Sequence, residues 1–263
     1  MSHLEVPDAR LYYEVRGSGP LVVLVGAPMD AQPFEPLADL LATDHTVLTT
    51  DPRGIRRSTV ADRGADSTPE LRADDLSRLI AHLDAGPATV LGSSGGAVSA
   101  LALTQAHPEQ VTTVIAHEPP VTELLEDVED LRARTEDIVA THRSGDVEGA
   151  LRKFLLLANL HLPEQIVRQM VDDRDEQATA DADYQNDRMM RPTVYWRPDL
   201  ALLRSVPSRV VIGIGEDSTG QLCDRTSRAL ADGLGVEPTS FPGGHVGFAE
   251  DPKAFAERWR AVL

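Results

Sequence analysis

The sequence predicts an α/β protein with a mostly parallel central sheet, helices on both faces and a helical cap insertion. The first observation is that short apolar, β-branched runs alternate with segments of helical spacing. The second is that one long helix-like stretch interrupts this alternation once. Because parallel strands need crossover connections, which are usually helices, such alternation favours a sheet that is covered on both faces.

The predicted strands are short runs bounded by Gly, Pro or Asp, and they lie at Leu21–Val25 and at residues 47–50, 89–91, 111–116 and 209–214. A further strand near residues 11–15 is expected to form a hairpin with Leu21–Val25 through residues 16–20. The predicted helices are residues 34–42, Pro69–Leu83, 95–107 and 219–234, with Thr68 as the N-cap of the second.

The alternation stops between about residues 121 and 198, where no strand-like run occurs and acidic residues and arginine are frequent. We therefore expect a core domain formed by residues 1–120 and 199–263, with residues 121–198 as the helical cap insertion. Apolar and aromatic side chains of the insertion are candidates to line a substrate pocket, since ligand sites are mostly apolar. These candidates are Phe154, Leu157, Tyr184, Tyr195 and Trp196.

Charge and cysteine content restrict the partners. The 263 residues include 25 Lys+Arg and 42 Asp+Glu, a formal net charge of −17, which disfavours nucleic acid and anionic membrane surfaces. Cys223 is the only cysteine, so neither an intrachain disulfide nor a cysteine-rich zinc site is expected. No apolar run resembles a signal peptide or reaches the roughly 18 residues of a membrane span. We expect a cytoplasmic protein that acts on a small molecule, and homo-oligomer formation stays open.

The sharpest local signal is the pentad Gly92-Ser93-Ser94-Gly95-Gly96, which follows an apolar run and opens a predicted helix. A nucleophile elbow needs this setting, because a strand must turn sharply into a helix with the central side chain exposed. The positions two residues away must be small so that strand and helix can approach. Centring the motif on Ser94 puts glycines there, whereas centring it on Ser93 would put a leucine there, so Ser94 is the better nucleophile.

A serine nucleophile needs a base, and the base needs a carboxylate that orients it. Of the eight histidines, His245 stands out because glycines flank it on both sides, which is typical of a loop that can project an imidazole into a cleft. Carboxylates follow two predicted strands: Glu118 after one, and Glu216 with Asp217 after the other. Active sites of open α/β sheets collect at such strand ends, so the residues alone leave the acid open.

Taken together, these motifs resemble the α/β-hydrolase fold family over essentially the whole chain, and the insertion occurs where that family carries its helical cap. The matching elements are Val25-Gly26-Ala27-Pro28, Asp51-Pro52-Arg53-Gly54 with Ser58, the Ser94 elbow, Glu216-Asp217 and Gly244-His245.

The resemblance implies a catalytic triad in the order Ser94, Asp217 and His245, which is the family's nucleophile–acid–base order. Asp217 follows the strand after which the family most often places its acid, and Glu118 and Glu216 are the alternatives. Aspartate at the nucleophile position would indicate the family's haloalkane dehalogenases or epoxide hydrolases, so Ser94 argues against those activities.

The resemblance also implies an oxyanion hole formed by the backbone N–H groups of Ala27 and Gly95. The substrate it implies is a carboxylic ester, a thioester or a lactone. Lyase, perhydrolase or carbon–carbon hydrolase chemistry on the same residues is the alternative within enzymes, because fold does not fix the reaction. A catalytically silent small-molecule receptor is the alternative outside enzymes. We predict neither a metal nor an organic cofactor, since no complete dinucleotide, phosphate-loop, calcium or zinc motif occurs.

Overall fold

Nine strands form one sheet in the computed structural model, which describes residues 2–263. The strand order is β1-β2-β4-β3-β6-β7-β8-β9, and β5 pairs with β2 beside this path. The strands from β4 to β9 in this order are parallel, whereas β1, β2 and β5 pair antiparallel. Their bounds are β1 Ser2–Val6, β2 Ala9–Gly17, β3 Leu21–Val25, β4 Thr46–Thr50, β5 Thr59–Val60, β6 Ala88–Ser93, β7 Val111–His117, β8 Arg209–Gly215 and β9 Thr239–Phe241.

The hairpin expected between β2 and β3 does not form, so that prediction is wrong. Instead β2 pairs antiparallel with β1 and β4, and β3 lies between β4 and β6. The reason is the composition of β3, whose five residues are all apolar and fully buried. A strand of this kind belongs inside a parallel sheet, and β4 occupies the edge that a hairpin with β2 would have used.

Twelve α-helices connect and cover the described strands. Helices α2, α3 and α10 contribute to the apolar cluster on one face, while α1, α11 and α12 contribute to the cluster on the other. Along β3 alternate residues enter the two clusters, as the period of a strand requires. The bounds are α1 Glu35–Leu41, α2 Pro69–Leu83, α3 Gly95–Ala106, α4 Val128–Arg143, α5 Val147–Ala158, α6 Glu164–Asp172, α7 Glu176–Tyr184, α8 Met190–Val194, α9 Leu200–Ser205, α10 Leu222–Leu234, α11 Gly247–Glu250 and α12 Pro252–Val262.

The fold class is confirmed, and the elements predicted from the sequence are present with small shifts at their ends. Helix α2 begins as predicted, because the Thr68 side chain accepts a hydrogen bond from the Leu71 N–H. Between β7 and β8 the chain forms helices α4 to α9 and no strand. Within the described part of the chain, no helix is both long and apolar enough to cross a membrane.

Candidate active site

The loops that follow four parallel strands meet at the carboxyl edge of the sheet. Ala27 follows β3, Ser94 follows β6, Glu118 follows β7 and His245 follows β9. Parallel strands present their carboxyl ends at one edge, so residues distant in sequence converge there. The candidate site is built from these loops and from the helical segment 121–198.

Ser94 occupies a strained turn between β6 and α3. Its φ of 57° and ψ of −128° lie outside the regions that non-glycine residues usually adopt, as the elbow requires. A Cβ at Gly92 would collide with the Gly96 carbonyl, and a Cβ at Gly96 would collide with the Val25 carbonyl. Only glycine therefore allows the strand, the turn and the helix to approach this closely.

The two adjacent serines have different environments. Ser94 is partly exposed and lines a cavity, whereas Ser93 is fully buried at the end of β6. The Ser93 hydroxyl has no hydrogen-bond partner among the described residues. The geometry thus agrees with centring the motif on Ser94.

His245 lies beside a buried carboxylate. Its Nδ1 is 2.5 Å from Oε2 of Glu118, whose side chain is fully buried, while the imidazole keeps 27% of its surface exposed. The second carboxylate oxygen, Oε1, accepts a hydrogen bond of 2.8 Å from the Gly215 N–H. Both oxygens of Glu118 are thereby engaged, which fixes the carboxylate and with it the orientation of the ring.

The ionised forms of both partners are favoured. Burial by itself would raise the pKa of Glu118, but the hydrogen bond from His245 and the electrostatic interactions with His117 and His245 lower it to about 2. Burial would lower the pKa of His245, but the Cys223 side chain and the Glu118 carboxylate outweigh burial and hold it well above the ordinary value. Glu118 is therefore a carboxylate at neutral pH, and its negative charge stabilises positive charge on the His245 ring.

The residue expected to pair with His245 does not do so. Asp217 is exposed, and the contact that its residue makes is a backbone hydrogen bond of 3.0 Å from its N–H to the Gly243 carbonyl. Glu216 is also exposed and accepts a hydrogen bond from Ser240. The expected contact of Asp217 with His245 is thus replaced by that of Glu118, which the sequence left as an alternative.

The pairing of β7 with β8 explains this exchange. His117, the last residue of β7, pairs with Gly213, and the next N–H, that of Glu118, bonds the Gly213 carbonyl at 3.0 Å. The Glu118 side chain therefore emerges beside Gly215. Because a Cβ at Gly215 would crowd the Gly243 carbonyl, glycine there lets the loop of His245 approach both strand ends.

Cys223 lies beside Glu118 and His245, and the sequence analysis did not assign it to the site. Ligand-type atoms of Glu118, Cys223 and His245 all lie within 4.8 Å of one another. Their types suit zinc, yet the 2.5 Å contact of Glu118 with His245 is a hydrogen bond. It leaves no space for an ion between those two atoms, since tetrahedral zinc ligands lie roughly 3.3 Å apart. No sequence spacing marks Cys223, because α10 brings it to the site through the fold.

A cavity of about 160 Å³ adjoins the side chains of Ser94 and His245. Of the predicted pocket residues, Phe154 and Leu157 line it. The remaining lining residues are Ala27, Pro28, Gly95, Pro120, Thr122, Thr135, Ala158, Leu160, Gln185, Met189, Met190, Thr193, Val194, Gln221, Leu222 and Cys223.

Three predicted pocket residues lie outside this cavity, so the expectation was wrong for them. Tyr184 is buried beside Gly54 and below the Arg63 guanidinium. The Tyr195 hydroxyl donates to Glu136 at 3.0 Å, and the Trp196 indole N–H donates to Glu70 at 2.9 Å. Tyr184 and Trp196 thus connect the helical segment to the rest of the chain, whereas Tyr195 bonds a residue within that segment.

Ala27 and Gly95 border the same cavity. Gly95 is the first residue of α3, where an N–H group has no acceptor within its own helix. The start of a helix also carries the positive end of its dipole, which favours negative charge. This edge of the cavity can therefore stabilise an oxygen atom that becomes negative beside Ser94.

Comparisons with known proteins identify the family and the fold. The sequence profile of the alpha/beta hydrolase family matches residues 21–258. YraK, an uncharacterized hydrolase of Bacillus subtilis strain 168, is 35% identical over 263 residues, which cover 99% of this chain and 94% of that protein. A malate-bound esterase from Thermogutta terrifontis has a TM-score of 0.73 at 19% identity, covering 100% of this chain and 98% of its own. The enol-lactonase from Burkholderia xenovorans LB400 has a TM-score of 0.73 at 18% identity, covering 99% and 98%.

Proposed function

Because the chain belongs to the alpha/beta hydrolase family, we propose that it is a serine hydrolase that cleaves carboxylic esters, thioesters or lactones through an acyl-enzyme. Ser94 is the nucleophile, His245 the general base and Glu118 the acid that orients the imidazole. This assignment replaces Asp217, the acid expected from the resemblance. The observation that carries the proposal is the hydrogen bond between buried Glu118 and His245 at the cavity that Ser94 lines.

In the first step the Ser94 hydroxyl attacks the substrate carbonyl while neutral His245 takes its proton at Nε2. Glu118 accepts the Nδ1–H hydrogen bond, keeps the ring in this tautomer and stabilises the imidazolium that forms. The N–H groups of Ala27 and Gly95 hold the oxyanion of the tetrahedral intermediate. His245 then protonates the leaving alcohol, thiol or hydroxyl end of the opened lactone.

In the second step water hydrolyses the acyl-enzyme. His245, neutral again after giving up its proton, accepts a proton from the water, and the same backbone donors stabilise the second oxyanion. The Ser94 oxygen leaves as the acid product forms and recovers the proton from the imidazolium. No group beyond these residues and water takes part in this sequence.

A fluorophosphonate probe tests whether Ser94 is activated. We expect intact-mass analysis to show one probe per chain and peptide mapping to locate it on Ser94, with Ser94→Ala unlabelled. Ser93→Ala serves as the matched control and should still label. A panel of p-nitrophenyl esters, acyl thioesters and simple lactones then identifies the hydrolysed class. Absence of labelling in the folded wild type, together with no turnover on the panel, would favour the silent receptor.

A further inference from the structure

The cavity carries information about the substrate that this proposed function does not specify. We propose that its acyl part, or the ring of a lactone, is a neutral apolar group of about six carbons, and that substrates with a carboxylate there are rejected. The inference rests on the proposed function for its catalytic readout and on the cavity alone for its binding readout. It is argued from three observations: the charge of the cavity wall, the types of side chain in the wall and the volume of the cavity.

The wall offers no charge that could pair with an anion, apart from the catalytic imidazole. Among its twenty residues there is no Arg, Lys, Asp or Glu, and the ionisable side chains are His245 and Cys223. His245 is already paired with Glu118 at 2.5 Å. A carboxylate in the acyl part would therefore lose its water without gaining a cation, which is strongly unfavourable.

One cation lies behind the wall. Arg72 is fully buried and donates to the hydroxyl of Thr193 at 2.9 Å, and Thr193 lines the cavity. The Nε–H donates to the Ser99 hydroxyl at 2.8 Å, and Nη1 donates to the carbonyl and the hydroxyl of Ser67. The guanidinium thus donates its hydrogen bonds to groups inside the protein, and it does not border the cavity.

The wall is instead built of aliphatic, thioether and aromatic groups. Phe154, Leu157, Leu160, Met190 and Leu222 surround the space next to Ser94. Phe154 keeps 37% of its surface exposed, so this part of the wall also contacts solvent. Two glutamines and three threonines supply neutral polar contacts, so a ketone or hydroxyl is tolerated where a carboxylate is not.

The volume sets the size of the bound group. A cavity of about 160 Å³ compares with the roughly 150 Å³ engineered apolar cavity that holds benzene, which corresponds to about six carbon atoms. Each methylene buried up to that size should raise kcat/KM about fourfold. The increase should stop near six carbons, where the space is filled.

The first experiment compares two esters of equal length. For the wild type, kcat/KM is measured with p-nitrophenyl hexanoate and with mono-p-nitrophenyl adipate, which ends in a carboxylate. We expect the neutral ester to be favoured by at least about 100-fold, because the buried anion has no partner. Equal values for the two esters would overturn the inference.

The net charge of −17 could also repel the anionic ester, and ionic strength separates this effect from that of the wall. The Debye length falls from about 10 Å at 0.1 M to about 3 Å at 1 M salt, so repulsion by distant charges weakens. We expect the preference to persist at 1 M NaCl. A preference that disappears there would assign it to the surface charge and overturn the role of the wall.

Two pairs of variants test the wall directly. Met190→Arg and Leu157→Arg each introduce a cation into the cavity, and Met190→Gln and Leu157→Gln are the matched neutral changes. We expect that at least one Arg variant keeps the melting temperature of the wild type. In that variant the ratio of kcat/KM for the hexanoate ester to kcat/KM for the adipate ester should fall by at least tenfold, because kcat/KM for the adipate ester rises. The Gln variants should show no such gain. Gains in the Gln variants equal to those in the Arg variants would contradict the charge argument.

A binding measurement keeps this inference separate from the proposed chemistry. Ser94→Ala is titrated with 2-octanone and with 7-oxooctanoate, and stabilisation is read as the rise in Tm. We expect the neutral ketone to raise Tm and the anionic one to leave it unchanged. If the wild type hydrolyses none of the esters while this difference persists, the proposed function fails and the neutral apolar site stands. Equal stabilisation by both ketones would refute the neutral site.

Discussion

Replacing Glu118 by glutamine tests the acid of the proposed triad. The change keeps the size of a fully buried side chain but replaces one carboxylate oxygen by an NH2 group. The Gly215 N–H donates to this side chain at 2.8 Å, so the amide oxygen of the new glutamine must face it. If the NH2 group faced the Gly215 N–H instead, two donors would be left without an acceptor. The amide NH2 then faces Nδ1 of His245, which can accept from it only when the ring proton lies on Nε2. In that tautomer His245 cannot take the proton of Ser94.

We expect Glu118→Gln to lower kcat by up to about 10⁴-fold, as the wrong histidine tautomer does in the best-known triad. Stability should change as well. The pKa of Glu118 lies at about 2 against an ordinary value of 4.5, which corresponds to roughly 3 kcal/mol in favour of the ionised folded state. Because the folded pKa is depressed, this stabilisation is present above about pH 4.5 and is lost as the pH falls towards 2.

The assay measures kcat with p-nitrophenyl hexanoate at neutral pH for Glu118→Gln, Asp217→Asn and Glu216→Gln. Circular dichroism and urea unfolding confirm that each variant is folded. Asp217 and Glu216 are exposed and make no hydrogen bond or ion pair with His245, so their variants should keep kcat within a few fold of the wild type. They are matched controls, because each also exchanges one carboxylate for an amide.

The reasoning is refuted if Glu118→Gln retains near-full kcat while Asp217→Asn loses it. That result would mean that the loop after β8 rearranges to bring Asp217 to His245 during turnover. The remaining parts of the proposal, which rest on Ser94 and on the cavity, would not change.

Three further outcomes are expected. Ser94→Ala should lower kcat by about 10⁴-fold or more, whereas Ser93→Ala should be mild, and equal losses in steady-state assays would show that the elbow is centred wrongly. His117 is fully buried without a hydrogen-bond partner among the described residues, and burial lowers its pKa to about 4. Below about pH 6.5 only the unfolded chain protonates this ring, so the unfolding free energy should fall by about 3 kcal/mol down to pH 4. Urea melts of His117→Leu should lack that loss, and a pH dependence identical to the wild type would contradict the assignment. Cys223→Ala removes one of the groups that hold the pKa of His245 above its ordinary value, so the acidic limb of the kcat/KM profile should move to lower pH; an unmoved limb would exclude this coupling.

Local sequence signals were sufficient for the fold class and for the elbow. Apolar runs of strand length alternating with helical spacing specify a covered parallel sheet, because each element must bury its apolar face. The pentad around Ser94 can be recognised from the sequence because it also depends on local structure. Its glycines are required by the close approach of a strand and a helix that are neighbours in sequence.

The hairpin between β2 and β3 could not be judged in this way. A short connection permits a hairpin, but the competition for the edge of β3 involves β4, which lies more than twenty residues further along the chain. Strand pairing of this kind is decided by the burial of the whole sheet, and no local pattern reports it.

The composition of the site also depended on the tertiary structure. Glu118 and Asp217 follow adjacent parallel strands, whose axes lie roughly 4.8 Å apart, so either carboxylate could have reached His245 by its position in sequence. The register of β7 against β8 and the direction in which each side chain leaves its strand decide which carboxylate pairs with His245. The sequence by itself therefore determined the alternation of strands and helices, the elbow and the loop of His245, because these depend on neighbours along the chain. Contacts between distant segments decide the rest. They bring Glu118 and Cys223 to the imidazole of His245, and they place Phe154 and Leu157 on the cavity wall but not Trp196.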